Sequence, residues 1–157
     1  MGNLGCGCPG SMARVIERNE DAVAVTGVTA AAVKASSELR QWPVQLHLVP
    51  PTAPYFKDAE LLLCADCVGF AMGELHAELL KGKALAIACP KLDDTGPYLE
   101  KLAQIIRFNN TPKVTVAIME VPCCRGLQLL AAEAIQKSGR EVALETVIIG
   151  IDGSRRK

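Results

Sequence analysis

The stretch "KVTVAIMEVPCCRGL" (113–127) decides the fold. Its first eight residues are mostly apolar and rich in valine, which is typical of a buried strand. This strand, predicted over 113–120, is followed by Cys123 and Cys124 and then by a helix predicted over 125–138. A buried strand that leads through a short loop into a helix is the repeating unit of a parallel α/β sheet.

The same alternation continues on both sides of this stretch. Further strands are predicted over 44–49, 60–65, 83–88 and 144–151, and further helices over 12–18, 70–82 and 94–109. Helical crossovers joined by short loops predict an α/β fold with a mainly parallel sheet and helices on both faces. We expect a single domain over 1–157, with a βαβ core over 44–151 and an N-terminal cysteine loop over 1–11.

Composition excludes several classes of partner. The chain has 157 residues, half of them apolar, and 17 basic residues balance 17 acidic ones. A chain without a basic face is not expected to bind nucleic acid. No apolar run reaches the roughly 18 residues that span a bilayer, and the first 20 residues lack the apolar region of a signal peptide. We therefore expect a cytoplasmic protein with neither nucleic acid nor membrane as its partner.

Cysteine placement carries the strongest functional signal. Seven cysteines in a chain without a secretion signal favour metal binding or redox chemistry over disulfides. Cys67, Cys89 and the pair Cys123 and Cys124 each follow a different predicted strand. Because the carboxyl ends of parallel strands share one edge, where α/β proteins bind ligands, these thiols are expected to meet there. The alternative is that cysteine packs at strand ends as a small apolar residue. Cys64, inside a predicted strand, is expected in the core.

The stretch "GCGCPG" (5–10) allows two interpretations. Its Gly-x-Gly-x-x-Gly spacing matches a dinucleotide-binding fingerprint, but that motif needs a preceding strand, and only four residues precede Gly5. We therefore interpret the stretch as a loop that presents Cys6 and Cys8 as soft metal ligands and runs into a helix at Ser11.

Four other polar residues are assigned mainly structural roles. His47 and His76 have no partner at metal-ligand spacing, so both are expected to be structural. Asp93 and Asp94 are expected to cap the helix that follows them, with metal binding or base catalysis as the alternative.

Several segments together resemble a known family: "GCGCPGSM", "LRQWPVQLHLVPPTAPYFKDAELLL", "ADCV", "CPKLDD", "EVPCC" and "IGIDG". They are similar to ferredoxin-like iron–sulfur proteins of anaerobic bacteria and archaea. The two-cluster ferredoxin module that many members carry, with its C-x-x-C-x-x-C-x-x-x-C-P run, does not occur in this sequence. The resemblance implies six candidate thiolate ligands: Cys6, Cys8, Cys67, Cys89, Cys123 and Cys124.

The predicted function is binding of an iron–sulfur cluster, [4Fe–4S], at the carboxyl edge of the sheet. The preferred ligands are Cys67, Cys89, Cys123 and Cys124, with Cys6 and Cys8 as the next candidates. Such a protein would transfer electrons or support a partner enzyme, rather than act as a catalyst itself. An alternative arrangement is a homodimer whose two chains share one cluster. The alternatives are a structural zinc site in an interaction module and a thiol-based redox enzyme that uses Cys123 and Cys124.

Overall fold

The computed structural model describes residues 12–17 and 36–157. The elements follow one another as β1 (Arg14–Val15), β2 (Gln41–Trp42), β3 (Glu60–Ala65), α1 (Val68–Ala71), β4 (Lys83–Ala88), α2 (Tyr98–Phe108), β5 (Lys113–Met119), α3 (Arg125–Ser138) and β6 (Ala143–Ile149). Short 3₁₀ turns lie at Pro54–Phe56 and Pro122–Cys124, and a π-helical turn lies at His76–Leu80. The alternation of strands and helices from β3 onward confirms the predicted α/β class.

The main sheet has four parallel strands in the order β4-β3-β5-β6. Its register places Leu62 of β3 beside Leu85 of β4 on one side and Thr115 of β5 on the other. From β3 the chain moves outward to β4 and then crosses back to β5 on the opposite side. The direction of winding therefore reverses between β3 and β5, and sheets of this kind open a ligand-binding crevice at that point, beyond the carboxyl ends of the strands.

The sheet is buried because helices cover it. In β3 every residue from Leu61 to Ala65 is buried, which explains why this strand is almost entirely apolar. Helix α2 packs along α3 on one face and buries Tyr98, Leu102, Ile105 and Ile106. The right-handed rule for parallel crossovers places α1 on the opposite face.

Four predicted elements agree closely with the structure. The strands over 60–65 and 83–88 and the helix over 125–138 are confirmed to the residue. The strand over 113–120 ends one residue early, at Met119. Helix α3 ends where predicted because Gly139 adopts the left-handed conformation, with φ of 72°, that closes a helix.

The strand predicted over 44–49 is wrong. Only Gln45 forms a bridge, pairing in parallel with Ile87 of β4. The chain then turns, because the carbonyl of Gln45 accepts hydrogen bonds from the N–H groups of Leu48 and Val49. Alternating hydrophobicity therefore marks a half-buried turn here.

The helix predicted over 12–18 is also wrong. Arg14 and Val15 instead form β1, which pairs antiparallel with β2. The side chain of Gln41 in β2 attaches this ribbon to the main sheet: its amide donates to the Leu85 carbonyl at 2.8 Å, and its oxygen accepts from the Leu85 N–H at 2.7 Å. A pairing between segments so distant in sequence overrides the local helical pattern.

Two predicted helices are shorter than expected. The helix over 70–82 is replaced by α1 and the π-helical turn, because the chain becomes extended at Met72, just before Gly73. The helix over 94–109 begins only at Tyr98, since residues 95–97 form a turn in which the Tyr98 N–H donates to the Thr95 carbonyl.

The loop predicted over 1–11 lies outside the described residues, and so do residues 18–35. The single-domain organisation over 1–157 stays a prediction. Among the described helices, none is both long and apolar enough to cross a membrane.

Candidate functional site

Three cysteines lie where the winding of the sheet reverses. Cys67 follows β3 and directly precedes α1, and its side chain is exposed. Cys123 and Cys124 follow β5, in the 3₁₀ turn that leads into α3. Cys123 is exposed and Cys124 is buried. Thiols therefore lie on both sides of the point where the winding reverses, beyond the carboxyl ends of β3 and β5.

The pKa of Cys124 reflects both its burial and the other two thiols. Burial, the largest effect, raises the pKa of Cys124, a backbone hydrogen bond with Met119 lowers it in part, and Cys123 and Cys67 raise it further. The side chains of Cys123 and Cys124 are also hydrogen-bonded to each other. Cys67 and Cys123 are thus near enough to Cys124 to affect its pKa, at the edge of the sheet where β3 and β5 end.

Cys89 lies on the neighbouring loop, directly after β4, and is half-buried. Two contacts hold this loop beside the other cysteines. The Asp66 N–H donates to the Ala88 carbonyl at 3.2 Å, which joins the ends of β3 and β4. Pro90 packs against the first turn of α3, where Gly126 has no side chain to keep it away.

Cys64 belongs to the core, as its place inside a strand predicts. It is only 2% exposed, and its thiol donates to the Ala65 carbonyl at 3.5 Å. Burial, followed by the nearby charges of Asp66 and Cys124, raises its pKa to about 12. Because the thiolate is the form that ligates metals and attacks electrophiles, we expect Cys64 to be unreactive in the folded protein.

A hydrogen-bonded carboxylate organises the Cys89 loop. One oxygen of Asp93, Oδ2, accepts from the Cys89 N–H at 2.8 Å, from the Gln45 side-chain amide at 3.3 Å and from the Tyr98 hydroxyl. Burial alone would raise the pKa of Asp93. The hydrogen bonds from Tyr98 and Cys89, the charge of His47 and the Gln45 bond outweigh it and lower the pKa.

This arrangement corrects the prediction that Asp93 caps the following helix. Helix α2 has no side-chain cap, and Asp94 accepts from the Gly96 N–H instead. The sequence analysis missed the role of Asp93 because its partners Gln45 and Tyr98 come from different elements. The sequence signal that could have indicated this role is an Asp that lies four residues after a cysteine and five residues before a tyrosine.

The two histidines are held in structural contacts. The His47 ring packs on the Tyr98 ring with centroids 4.4 Å apart, and the His47 carbonyl accepts from the Lys101 ammonium at 2.7 Å. The Nδ1 atom of His76 accepts from the Glu38 N–H at 3.0 Å.

Asp66, in the loop between β3 and Cys67, has the opposite environment to Asp93. Its Oδ1 is buried and has no hydrogen-bond partner among the described residues. Burial and then the charge of Asp93 raise its pKa. A buried oxygen without a partner is rare in folded proteins and marks Asp66 as a polar group whose bonding capacity is unfilled.

The donor chemistry of the edge suits a soft metal, because thiolates are the ligands preferred by zinc and by iron–sulfur clusters. The geometry is not that of a ready-made metal site. Within 12–17 and 36–157, no group of three or more His, Cys, Asp or Glu side chains is arranged to hold a metal ion. Cys6 and Cys8 lie outside the described residues.

The fold and the crevice define the class of protein: a doubly wound parallel α/β domain whose candidate ligand site is lined by thiols. The chain belongs to the Rossmann-like domain family, whose model matches residues 53–156. It is also similar to an uncharacterized protein of Archaeoglobus fulgidus, with 32% identity over 117 residues that cover 74% of this chain and 82% of the relative. No solved structure matches the chain significantly.

These comparisons correct the family expected from the sequence. The resemblance to ferredoxin-like iron–sulfur proteins is wrong, because the matching family model is that of a Rossmann-like domain and the archaeal relative indicates no iron–sulfur family. The match begins at residue 53 and therefore does not include "GCGCPG".

Proposed function

We propose that this protein binds an iron–sulfur cluster, [4Fe–4S], through cysteines at the carboxyl edge of the sheet. One observation carries the proposal: Cys67 after β3 and the pair Cys123 and Cys124 after β5 flank the point where the winding reverses, and Cys89 follows the adjacent strand β4. A cluster supplies one-electron transfer, so the protein would act as an electron carrier or as redox support for a partner enzyme. The proposal depends on this arrangement and not on family membership.

Cys67, Cys123 and Cys124 are the first ligands we assign, and Cys89 is the fourth. The pKa of Cys124 is raised, chiefly by burial, so ligation must displace its proton and cluster uptake should strengthen as pH rises. Because these thiols are not arranged as a ready-made site, binding requires the loops after β3 and β5 to adjust or further ligands to join them.

Cys6 and Cys8 are the candidates for such further ligands. The chain runs from β2 to Gln45, which is parallel to β4, and β1 is antiparallel to β2. The chain at Met12, just before β1, is therefore directed towards the carboxyl ends of the strands. Cys8 is four residues before Met12, a span of at most about 14 Å.

The surface beside the thiols supports a protein as the redox partner. Phe70 and Leu92 come three residues after Cys67 and Cys89, and they are 95% and 84% exposed. A contiguous patch of exposed apolar side chains is typical of protein–protein contacts, and we propose that Phe70 and Leu92 contribute to such a patch. Lys91 and Arg125 are exposed on the Cys89 loop and at the start of α3, and such charges guide partners of opposite charge.

We also assign the protein to the cytoplasm. The five described cysteines are all free thiols, which suits a reducing compartment. A homodimer in which two chains share one cluster is a further possibility that the following measurement distinguishes.

The test is analysis of iron, zinc and acid-labile sulfide, with an absorption spectrum, on the full chain purified without oxygen. We expect about four iron and four sulfide per chain. Half that content, with the absorption spectrum of a [4Fe–4S] cluster, in a protein that light scattering shows to be a dimer would establish a shared cluster. Zinc without sulfide would replace the proposal by a structural zinc site, and a metal-free protein would overturn it.

The ligands are assigned by changing the six candidate cysteines to serine one at a time. Cys64→Ala is the matched control, because Cys64 is three residues from Cys67 but lies in the core. Cys67→Ser, Cys123→Ser and Cys124→Ser should lose most of the iron, whereas Cys64→Ala should retain it. Equal losses in Cys64→Ala would show that the effect is structural.

A second candidate function is thiol–disulfide exchange, which the hydrogen bond between Cys123 and Cys124 favours. The two thiols would form a disulfide and pass two electrons and two protons to a substrate disulfide, which becomes two thiols. Metal-free protein should then reduce a peptide disulfide, with Cys123→Ser inactive and Cys64→Ala active. Equal rates for the two variants would exclude this function.

A further inference from the structure

We propose that Asp93 is a positioning residue that fixes the conformation of the Cys89 loop. The role of Cys89 as a ligand rests on the proposed function, but the positioning itself does not. Asp93 would hold the loop in one conformation before any metal arrives, so that Cys89 needs little rearrangement to bind.

Residues 89 and 93 are bonded to each other in both directions. The Asp93 N–H donates to the Cys89 carbonyl at 2.9 Å, and the Cys89 N–H donates to Asp93 Oδ2 at 2.8 Å. The Leu92 N–H also donates to the Cys89 carbonyl, at 3.3 Å. This closed turn fixes the backbone on both sides of Cys89.

This closed turn is also attached to two other parts of the fold. The Tyr98 hydroxyl donates to the same Asp93 oxygen from α2, and Tyr98 is fully buried. The Gln45 side-chain amide donates to that oxygen as well, and the Gln45 backbone pairs with β4 at Ile87. A single oxygen therefore connects the Cys89 loop to the helix layer and to the sheet edge.

The proposal predicts which property of Asp93 matters. Asp93→Asn keeps an oxygen that can accept the Cys89 N–H, whereas Asp93→Ala removes it and leaves that N–H and the buried Tyr98 hydroxyl without an acceptor. If Asp93 positions the Cys89 loop, Asp93→Ala should let this loop leave its conformation, whereas Asp93→Asn should keep it there. Tyr98→Phe removes a different hydrogen bond to Asp93 and keeps the one from the Cys89 N–H. It is therefore the matched control for loss of the other contacts of Asp93.

The test is the rate of iodoacetamide labelling at each cysteine of the metal-free full chain, read by peptide mass spectrometry. We expect Asp93→Ala to raise the Cys89 rate relative to Cys67 by about 10-fold, the scale set by the loss of one hydrogen bond to a charged group. Asp93→Asn and Tyr98→Phe keep the bond to the Cys89 N–H, so their rates should stay close to that of the wild type. An unchanged ratio in Asp93→Ala, or an equal rise at the buried Cys64 from general unfolding, would overturn the proposal.

Metal loading separates this proposal from the proposed function. If the chain binds a cluster, Asp93→Ala should retain about 10-fold less iron under limiting supply, and Asp93→Asn should resemble the wild type. If neither the wild type nor any variant binds iron, the proposed function fails, while the labelling contrast still supports the positioning role. If all variants bind iron equally and the labelling ratio is constant, the positioning role alone fails.

Discussion

Two neighbouring loops at the carboxyl edge of the sheet differ in how their polar groups are satisfied. In the loop after β4, Asp93 accepts three hydrogen bonds through one oxygen and closes the turn at Cys89. In the loop after β3, Asp66 has a buried oxygen with no partner among the described residues, and Cys67 is exposed. The Asp66 N–H of the loop after β3 donates to the carbonyl of Ala88, at the end of β4.

The difference indicates a division of roles between the loops. The loop after β4 is ordered by its own hydrogen bonds, so it can serve as a fixed wall of the site. The loop after β3 holds an acceptor without a partner and an accessible thiol. Binding of a ligand or a proton would therefore alter the bonding of this loop more than that of the loop after β4. Functional sites commonly combine a rigid support with a few unsatisfied groups.

The largest expected contrast is in stability. Asp93→Ala should lower the free energy of unfolding by about 2 kcal/mol, because it leaves buried hydrogen-bond donors without a charged acceptor. Asp66→Ala should cause no loss, since it removes a carboxylate that has no partner to lose. Urea unfolding of the metal-free chain at pH 7 measures both values. Equal losses in the two variants would mean that the loops do not differ as described.

The regular part of the fold could be predicted because its signals are local. An apolar run marks β4, and Gly139 marks the end of α3, so both were predicted to the residue. The elements that failed depend on distant partners. Residues 12–18 look helical by themselves, but Arg14 and Val15 pair with β2 across a long stretch of sequence.

The candidate site divides in the same way. The positions of Cys67 and Cys123 after two strands were enough to predict that they share an edge, because parallel strands end together. The hydrogen bonds to Asp93 could not be predicted. Their donors Gln45 and Tyr98 belong to the turn at 44–49 and to helix α2, and only the packing of these elements brings them close to Asp93. The sequence pattern therefore locates the thiols but not the groups that hold their loops in place.

A smaller contrast is expected in the pH dependence of stability. The pKa of Asp93 is lowered below its ordinary value of 3.8, so its stabilising effect is present above pH 3.8 and is lost as pH falls through the lowered pKa. The pKa of Asp66 is raised, so its charged form disfavours folding at neutral pH and this effect disappears in acid.

The two asparagine variants measure these effects separately. At pH 7, Asp93→Asn should be less stable than the wild type and Asp66→Asn more stable. The Asp66→Asn difference should disappear by pH 3, whereas the Asp93→Asn difference should begin to shrink only below pH 3.8, as followed by urea unfolding. A difference for Asp66→Asn that persists in acid would show that its side-chain charge is not the cause.

The smallest expected contrast is in thiol accessibility. In the metal-free wild type, Cys67 should react with iodoacetamide several-fold faster than Cys89, because Cys67 is exposed whereas Cys89 is half-buried in a closed turn. Cys64, at 2% exposure and with a pKa of about 12, provides the unreactive reference in the same molecule. Labelling followed by peptide mass spectrometry gives all three rates in one experiment. Equal rates at Cys67 and Cys89 would show that the turn closed by Asp93 opens as readily as the loop after β3, and the two loops would then have to be treated as one mobile edge.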